Sequence, residues 1–598
     1  MERITLHPSI PVLLIAMSLQ LNANAQGIAI NETGASPNPF ALLDIDATNH
    51  NKGLLIPRLT SIQRTAIGPL SPVEDGLVVF DTTTKTFWYW AGGQWVEIAA
   101  GGSGWSLTGN AGTVDGTHFL GTTDNVPLNF RVNAQHAGRI ESSALANTYF
   151  GHESGFNSTD GHGNTAVGKG ALSSGCTGFY NTAHGLRALM LNSTGSENTA
   201  LGRWALLNNT TGDRNTATGS GALMSNTTGM QNTATGSGTL SSNTTGLNNS
   251  ATGHNALNSN TIGGYNTADG FNALYLNTTG AQNTACGALA LMNNETGEYN
   301  TAIGASALNS NTTGGANTAI GFGSLINNAT GTENTVSGAF AMEINTTGSS
   351  NSVLGTRTLW SNSTGNQNSA IGQEALSSNG TGSGNTAVGS RSLALNNAGS
   401  HATAVGAHAM ENANSTTTAF ENTNVAVGYS ALMGSLNPTD NTGLGNVAVG
   451  YQAMVSNSSG ELNTAHGYQA LSGNTTGFLN TGVGSGALGS NASSSGNTAV
   501  GSNALSLHST GGSNTAIGTY AMDANVVGAG NTATGWAALH SSAGSYNTAF
   551  GFEALSNNTG TSAGAGSRAT AIGAYAMAIP NNSVSPFMCR LPLFSVRS

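Results

Sequence analysis

Charged side chains make up 7% of this 598-residue chain, under about a third of the usual share. Sixteen Lys and Arg stand against 27 Asp and Glu, a net charge of -11, so no broad basic surface exists to release counterions from a polynucleotide. Nucleic acid is excluded as a partner on that ground. Cysteine is as scarce: Cys176, Cys286 and Cys589 are far apart and odd in number, which writes neither a disulfide framework nor a Cys-x-x-Cys metal site. Long apolar runs are missing too. The longest, Ile10 to Leu21, is interrupted by Pro11 and Gln20, and nothing approaches the roughly 18 residues of a transmembrane helix. Disorder does not follow from this, because disordered chains are charge-rich and poor in regularly placed apolar residues.

What the chain does have is 84 glycines and a repeat. Asn-Thr-Ala-x-Gly begins at Asn164 and recurs every 17 residues to Asn385, then resumes at Ala402, Asn424, Asn446 and onward to Ala569 with three steps of 22. There are 24 copies, each continuing Gly-x-x-Ala-Leu and closing with Asn-Thr-Thr-Gly or a variant. The glycine (Gly168 through Gly573) and a Leu or Met four residues later (Leu172 through Met577) never fail.

A 17-residue period is too short for helix pairs and predicts a coil of two short strands and two turns. The fold class is therefore all-β: a parallel β-roll or β-solenoid over 151–580 with a small N-terminal antiparallel β domain. Strand alternation sends Asn, Ala and Gly to one face and Thr with the variable residue to the other. The Leu/Met column, which includes Leu172, Leu189, Leu206, Leu223, Leu291 and Leu308, is expected as a stacked core. Asn at 22 of the 24 first positions predicts an amide ladder, and the Asn-Thr-Thr-Gly segment predicts turns with glycine at positive φ. Stacking at about 4.8 Å per coil gives a rod on the order of 110 Å long. Each coil buries little apolar area, so association into a homotrimer is expected.

Arg3, the apolar run and Ala23-Asn24-Ala25 before Gln26 have the layout of a secretory signal. Residues 1–25 thus predict export to the cell surface or medium. Within 26–100, Thr60 and Gln63 match a capping box that opens a short helix. Gly76–Asp81, Phe87–Trp90 and Gln94–Ile98 read as a three-stranded antiparallel meander. Glycines 101, 102 and 104 open a linker, and 105–150 carries a strand pair leading into the repeat. Residues 581–598 form an irregular tail.

The chemistry motifs are weak. Gly560-Thr-Ser-Ala-Gly564 matches a nucleophile elbow in letters but lacks strand-turn-helix surroundings, and Gly484 to Gly489 spells a dinucleotide fingerprint only because it is the repeat glycine and its neighbours. Residues 215–268 hold no Asp, Glu, Lys or Arg, which excludes a calcium ladder there. His401 and His408 have no third ligand at a metal-binding spacing. No cofactor, metal or catalytic residue is expected. Trp88, Trp90 and Trp95, with Tyr89, could stack on a glycan, or instead supply the core of the small domain.

The Asn-Thr-Ala-x-Gly-x-x-Ala-Leu repeat resembles the β-roll repeats of YadA-like trimeric autotransporter adhesin heads, which are usually a few residues shorter. The front end, Gly53-Leu-Leu-Ile-Pro-Arg-Leu-Thr60 and Gly76-Leu-Val-Val-Phe-Asp81, resembles exported Gram-negative surface proteins, and Gly121-Thr-Thr-Asp-Asn125 is similar to a segment of theirs and of phage tail fibres. The resemblance implies a trimeric surface rod with a host, matrix or glycan ligand. Such proteins often end in an endosialidase-type intramolecular chaperone; the tail after Met577 has no such domain and reads as truncated or frameshifted. A phage tail-fibre-like protein is the runner-up. A third reading is an ice- or crystal-binding solenoid, since Thr fills 19 of the 24 second positions.

Overall fold

The computed structural model describes residues 28–30, 36, 43–45, 54–68, 70, 74–98, 109–158, 160–541, 543–556 and 567–576. The expected signal (1–25), the glycine linker at 101–104, the Gly560–Gly564 motif and the tail from Met577 lie outside them. The chain divides into two units, Met1–Gly121 and Thr122–Ser598.

In the first unit β1 (Ile28–Ile30) pairs in parallel with β2 (Leu43–Ile45). A second sheet joins β3 (Arg58–Leu59), β4 (Val78–Asp81), β5 (Thr86–Ala91) and β6 (Gln94–Ile98). The meander β4-β5-β6 is antiparallel as expected, but β3 adds a fourth strand, parallel to β4. Between β3 and β4 lies α1 (Ser61–Thr65), whose cap is the box read from sequence: the Gln63 amide N–H donates to Thr60 Oγ1, and the Thr60 N–H donates to Gln63 Oε1.

The second unit opens with an antiparallel pair, β7 (Leu128–Val132) and β8 (Gln135–Ile140), then β9 (Thr148–Phe150). From Thr165–Val167 to Thr570–Ile572, 24 three-residue strands follow, each parallel and in register with the next. The ribbon is open, since β7 pairs with β8 and Thr570–Ile572 pairs with Thr548–Phe550. Among the described residues most coils have one strand, not the two the period suggested; only the coils from Asn385 and Ala402 add a second, Gly399–Ser400 paired in parallel with Phe420–Glu421. Counting a coil from its first Asn as position 1, the strand covers positions 2 to 4, and the remainder is held by single backbone bonds between neighbours, such as Leu206 N–H to Ala222 O at 3.0 Å and Thr210 N–H to Thr227 O at 2.9 Å.

The facing assignment holds. Positions 1 and 3 are buried while 2 and 4 look outward, and Leu172, Leu189, Leu206, Leu223, Leu291 and Leu308 are fully buried in one cluster with the Ala columns. Unexpectedly, every described Leu or Met of that column sits near φ +50. Left-handed backbone costs a non-glycine residue about 1–2 kcal/mol, here offset by the inter-coil bond each makes. The glycine of Asn-Thr-Thr-Gly behaves in the opposite way. Gly212 does not lie among the positive-φ glycines, so positive φ is not why it is glycine. A Cβ there would stand 2.3 Å from Gly229 O and 2.6 Å from Asn209 Oδ1, so close approach fixes the residue.

That crowding comes from two amide ladders. Position 1 forms the expected one: the N–H and Nδ2 of Asn215 both donate to Asn198 Oδ1, at 2.9 and 3.1 Å. Position 12 forms a second, in which Asn226 Nδ2 donates to Asn209 Oδ1 at 2.7 Å and to Gly229 O at 2.9 Å. Both run through the interior, and each amide is satisfied by its neighbour.

Two coils depart from this pattern. Asn147-Thr-Tyr-Phe-Gly151 is a further coil ahead of Asn164, with Tyr149 replacing the usual Ala and Gly155 the usual Leu. The swap conserves volume, since a Cβ on Gly155 would meet the Tyr149 ring at 2.5 Å; burial pushes the Tyr149 hydroxyl up to about 12. In the coil from Ala402 both ladder positions are alanine, Ala402 and Ala413. Phe420, paired with Gly399, takes the glycine position instead, and the buried Asn396 Oδ1 is left without a partner.

Candidate functional site

The outer face of the ribbon carries two columns. Position 2 is a row of Thr hydroxyls in register, Thr182 opposite Thr199 and Thr199 opposite Thr216. Position 4 changes character along the chain. Up to Cys286 it is mixed, with His184, Thr218, Thr235, Thr252 and Asp269; from Ile303 to Ile572 it is apolar except at Ser337, His466 and Thr534. Ile303, Ile320, Leu354, Ile371, Ile517 and Phe550 are all exposed there. A long apolar row on an outer strand face marks an interaction surface.

The corner after the strand carries a third column, at position 6, directly after the invariant glycine. Tyr429, Tyr451 and Tyr468 occupy it in consecutive coils, their rings stacked 5.4 and 5.2 Å apart and tilted by 13° and 6°. Gln469 Nε2 donates to Gln452 Oε1 at 2.9 Å beside them. Two shorter stacks share the column, Trp536 on Phe552 at 4.8 Å and His254 on Phe271 at 5.7 Å. Sequence reading passed over these rings, although Gly428-Tyr429, Gly450-Tyr451 and Gly467-Tyr468 repeat at coil spacing and stacking follows once coils align.

In the first unit Trp88, Trp90 and Trp95 are brought to one face of the sheet. Trp90 pairs with Trp95 across β5 and β6, edge to face at 5.6 Å. Arg64 lays its guanidinium 3.7 Å from the Trp88 centroid and 5.8 Å from that of Trp95. One face of Trp88 is therefore already occupied by a cation. Arg64 Nε also donates to Asp81 Oδ2 at 2.9 Å, and both residues are buried. Burial would raise the Asp81 carboxyl, but hydrogen bonds from Ser61, Arg64, Thr83 and Thr84 outweigh it and hold the group well below the usual carboxylate range.

Several titratable groups of the second unit meet within and between coils. His401 Nδ1 lies 2.5 Å from Glu421, and His408 Nδ1 lies 2.7 Å from Glu411, which also accepts from Arg391. Among the described residues no three His, Cys, Asp or Glu come close enough together to hold a metal, and no helix is long and apolar enough to cross a membrane. Gly484 to Gly489 is coil backbone, with Gly484 at φ +133 packed on Gly501. Where the ladders break, Met410, Phe420, Leu432, Asn424 and Asn457 line a cavity of about 20 Å³, room for a water molecule.

A parallel β-solenoid that follows a small β unit in the chain points to a fibre-like structural protein. Residues 27–113 match the family model of the phage tail like trimerisation region, which supports a homotrimer. No curated protein matches the chain.

Proposed function

We propose that the protein is an exported, non-enzymatic, homotrimeric fibre displayed at the cell surface, where its solenoid mediates attachment. The observation that carries this reading is a trimerisation-type segment at 27–113 ahead, in sequence, of a solenoid whose 24 strands pair in parallel. Such an arrangement suits reach and multivalent display. The apolar position-4 row from Ile303 to Ile572 supports it, being the surface that three copies would bury against one another. Export rests on the first 25 residues, and the adhesin role on the repeat's resemblance to adhesin heads. A phage tail-fibre component is the second reading, favoured about equally by the matched family's description. The third, an ice- or crystal-binding solenoid, rests on the exposed Thr row and predicts thermal hysteresis.

Light scattering on the purified chain, with surface labelling of intact producing cells, tests the proposal. A trimer accessible on cells is expected. A monomer removes the fibre reading, and a trimer found only inside cells beside phage structural proteins favours the tail fibre.

A further inference from the structure

Cations are rare along the solenoid, yet three of them fall in consecutive coils at one corner. Lys169 and Arg203 occupy position 6 of the coils from Asn164 and Asn198, and Arg187 occupies position 7 of the coil between them. All three are exposed, and among the described residues none of them has an acidic partner. The acids of these coils, Glu197 and Asp213, stand on the other side of the strand, at positions 17 and 16. There Glu197 pairs with Arg214 at 3.1 Å, and Asp213 Oδ1 accepts from the Ser196 N–H at 2.8 Å. In column 7 the nearest acid is Glu153, two coils from Arg187 and 3.6 Å from His152. Residues 164–214 thus hold four Lys and Arg against two Asp and Glu, a positive stretch in a chain of net charge -11.

Neighbouring groups hold these side chains in place. Arg203 lays its guanidinium 3.6 Å from the centroid of the Trp204 indole, which fixes its plane and leaves the N–H groups at its edge for a ligand. The Arg187 stem crosses the adjoining coil, where a Cβ on Gly170 would stand 3.5 Å from Arg187 Cγ. Backbone bonds lock the register: Arg187 N–H donates to Lys169 O and Trp204 N–H to Leu186 O, both at 2.9 Å. Like charges one coil apart, about 4.8 Å, repel, and an anion seated between them relieves that repulsion. Lys169 and Arg203 are two coils apart, on the order of 10 Å, close to the advance of one disaccharide along an extended glycan. We propose that this corner binds a linear polyanionic polysaccharide lying along the solenoid, its sulfates or carboxylates seated on Lys169, Arg187 and Arg203. Guanidinium groups make their strongest hydrogen bonds to such oxyanions. A polynucleotide fits less well, because three cations neutralise too few phosphates to hold it at physiological salt. The inference rests on the attachment reading, which puts the corner outside the cell among glycans, and it names the ligand class.

The experiment is calorimetric titration of the full chain with heparin and hyaluronan hexasaccharides, using chitohexaose as the neutral comparison and a short single-stranded oligonucleotide as the polyanion that is not a glycan. Saturable binding of an anionic hexasaccharide is expected, and its affinity should fall as salt rises. The triple variant Lys169→Ser, Arg187→Asn and Arg203→Ser should weaken it at least about tenfold, since three charge-assisted contacts are lost. Ser220 and Ser237 already hold position 6 in other coils, and Asn255 holds position 7 at the same positive φ, so the variant copies residues the fold accepts. Arg357→Asn, an exposed cation of column 7 far along the chain, should leave binding unchanged. If the triple variant melts early, the salt dependence of the parent still decides, because an affinity indifferent to salt overturns the proposal. It falls as well if neither anionic hexasaccharide binds, if chitohexaose or the oligonucleotide binds more tightly, or if the folded triple variant binds like the parent. A surface-displayed trimer that attaches to cells yet binds no anionic hexasaccharide would overturn this site and leave the attachment reading standing; hexasaccharide binding without surface display would do the reverse.

Discussion

Leu291 shows how narrowly the interior is specified at single residues. It is fully buried, it takes left-handed φ near +51, and it bonds Ala307 O at 3.0 Å through its N–H. Leu291→Asp buries an unpaired charge and should cost several kcal/mol, read as a lower melting temperature by circular dichroism. Leu291→Met should cost under about 1.5 kcal/mol, since Met342, Met454 and Met522 already fill the same column. Asn226→Ala tests the second ladder. It removes the donor to Asn209 Oδ1, and that orphaned buried acceptor costs about 1–3 kcal/mol, whereas Gly229 O keeps its bond from Asn215 Nδ2. A melting curve equal to the parent's would show that the ladder contributes nothing.

At the scale of elements, the sheet of the first unit and the coil at Ala402 are the places where conditions should matter. Asp81 titrates below its unfolded value near 3.9, so the stability it confers is complete above that pH and is lost as pH falls toward its depressed folded value. Tryptophan fluorescence, sensitive to Trp88, Trp90 and Trp95 around Arg64, should therefore report acid loosening below about pH 4, and Asp81→Asn should weaken the unit at neutral pH and flatten that response. The Ala402 coil interrupts both ladders and leaves Asn396 Oδ1 unpaired. Local opening follows local stability, so hydrogen exchange should be faster at 399–446 than in the unbroken run 198–385. Uniform protection across both segments would refute that.

For the whole molecule, assembly is the quantity that decides function. If three copies bury the position-4 row, Ile371→Asp should leave the β-spectrum intact, because Ile371 is exposed within one chain, while shifting mass from trimer toward monomer in light scattering. An unchanged trimer would place the interface elsewhere. The two insertions after Ala402 and Asn424 and the one after Asn547 leave strand register unbroken, since Val425 still pairs with Thr403 and Thr570 with Thr548. Length is thus tolerant of insertion where the interior columns are kept.

Periodicity alone determined the fold class, because Gly and Leu/Met at fixed offsets can align only if equivalent residues stack. The position-1 ladder, the capping box at Thr60 and the antiparallel meander were readable for similar reasons, each being a local or strictly repeated pattern. Tertiary structure decided the rest. That Asn209 and Asn226 form a buried ladder and not a surface turn depends on where the coil bends back. That Gly212 is needed for closeness and not for positive φ depends on the neighbouring coil. Asn147-Thr-Tyr-Phe-Gly151 escaped notice because its two core residues exchange size, a compensation visible only when Tyr149 is seen in the space that Leu fills elsewhere. The same holds for the Tyr429, Tyr451 and Tyr468 strip: its rings are 17 to 22 residues apart in the chain, and only coil stacking brings them within 5.4 Å.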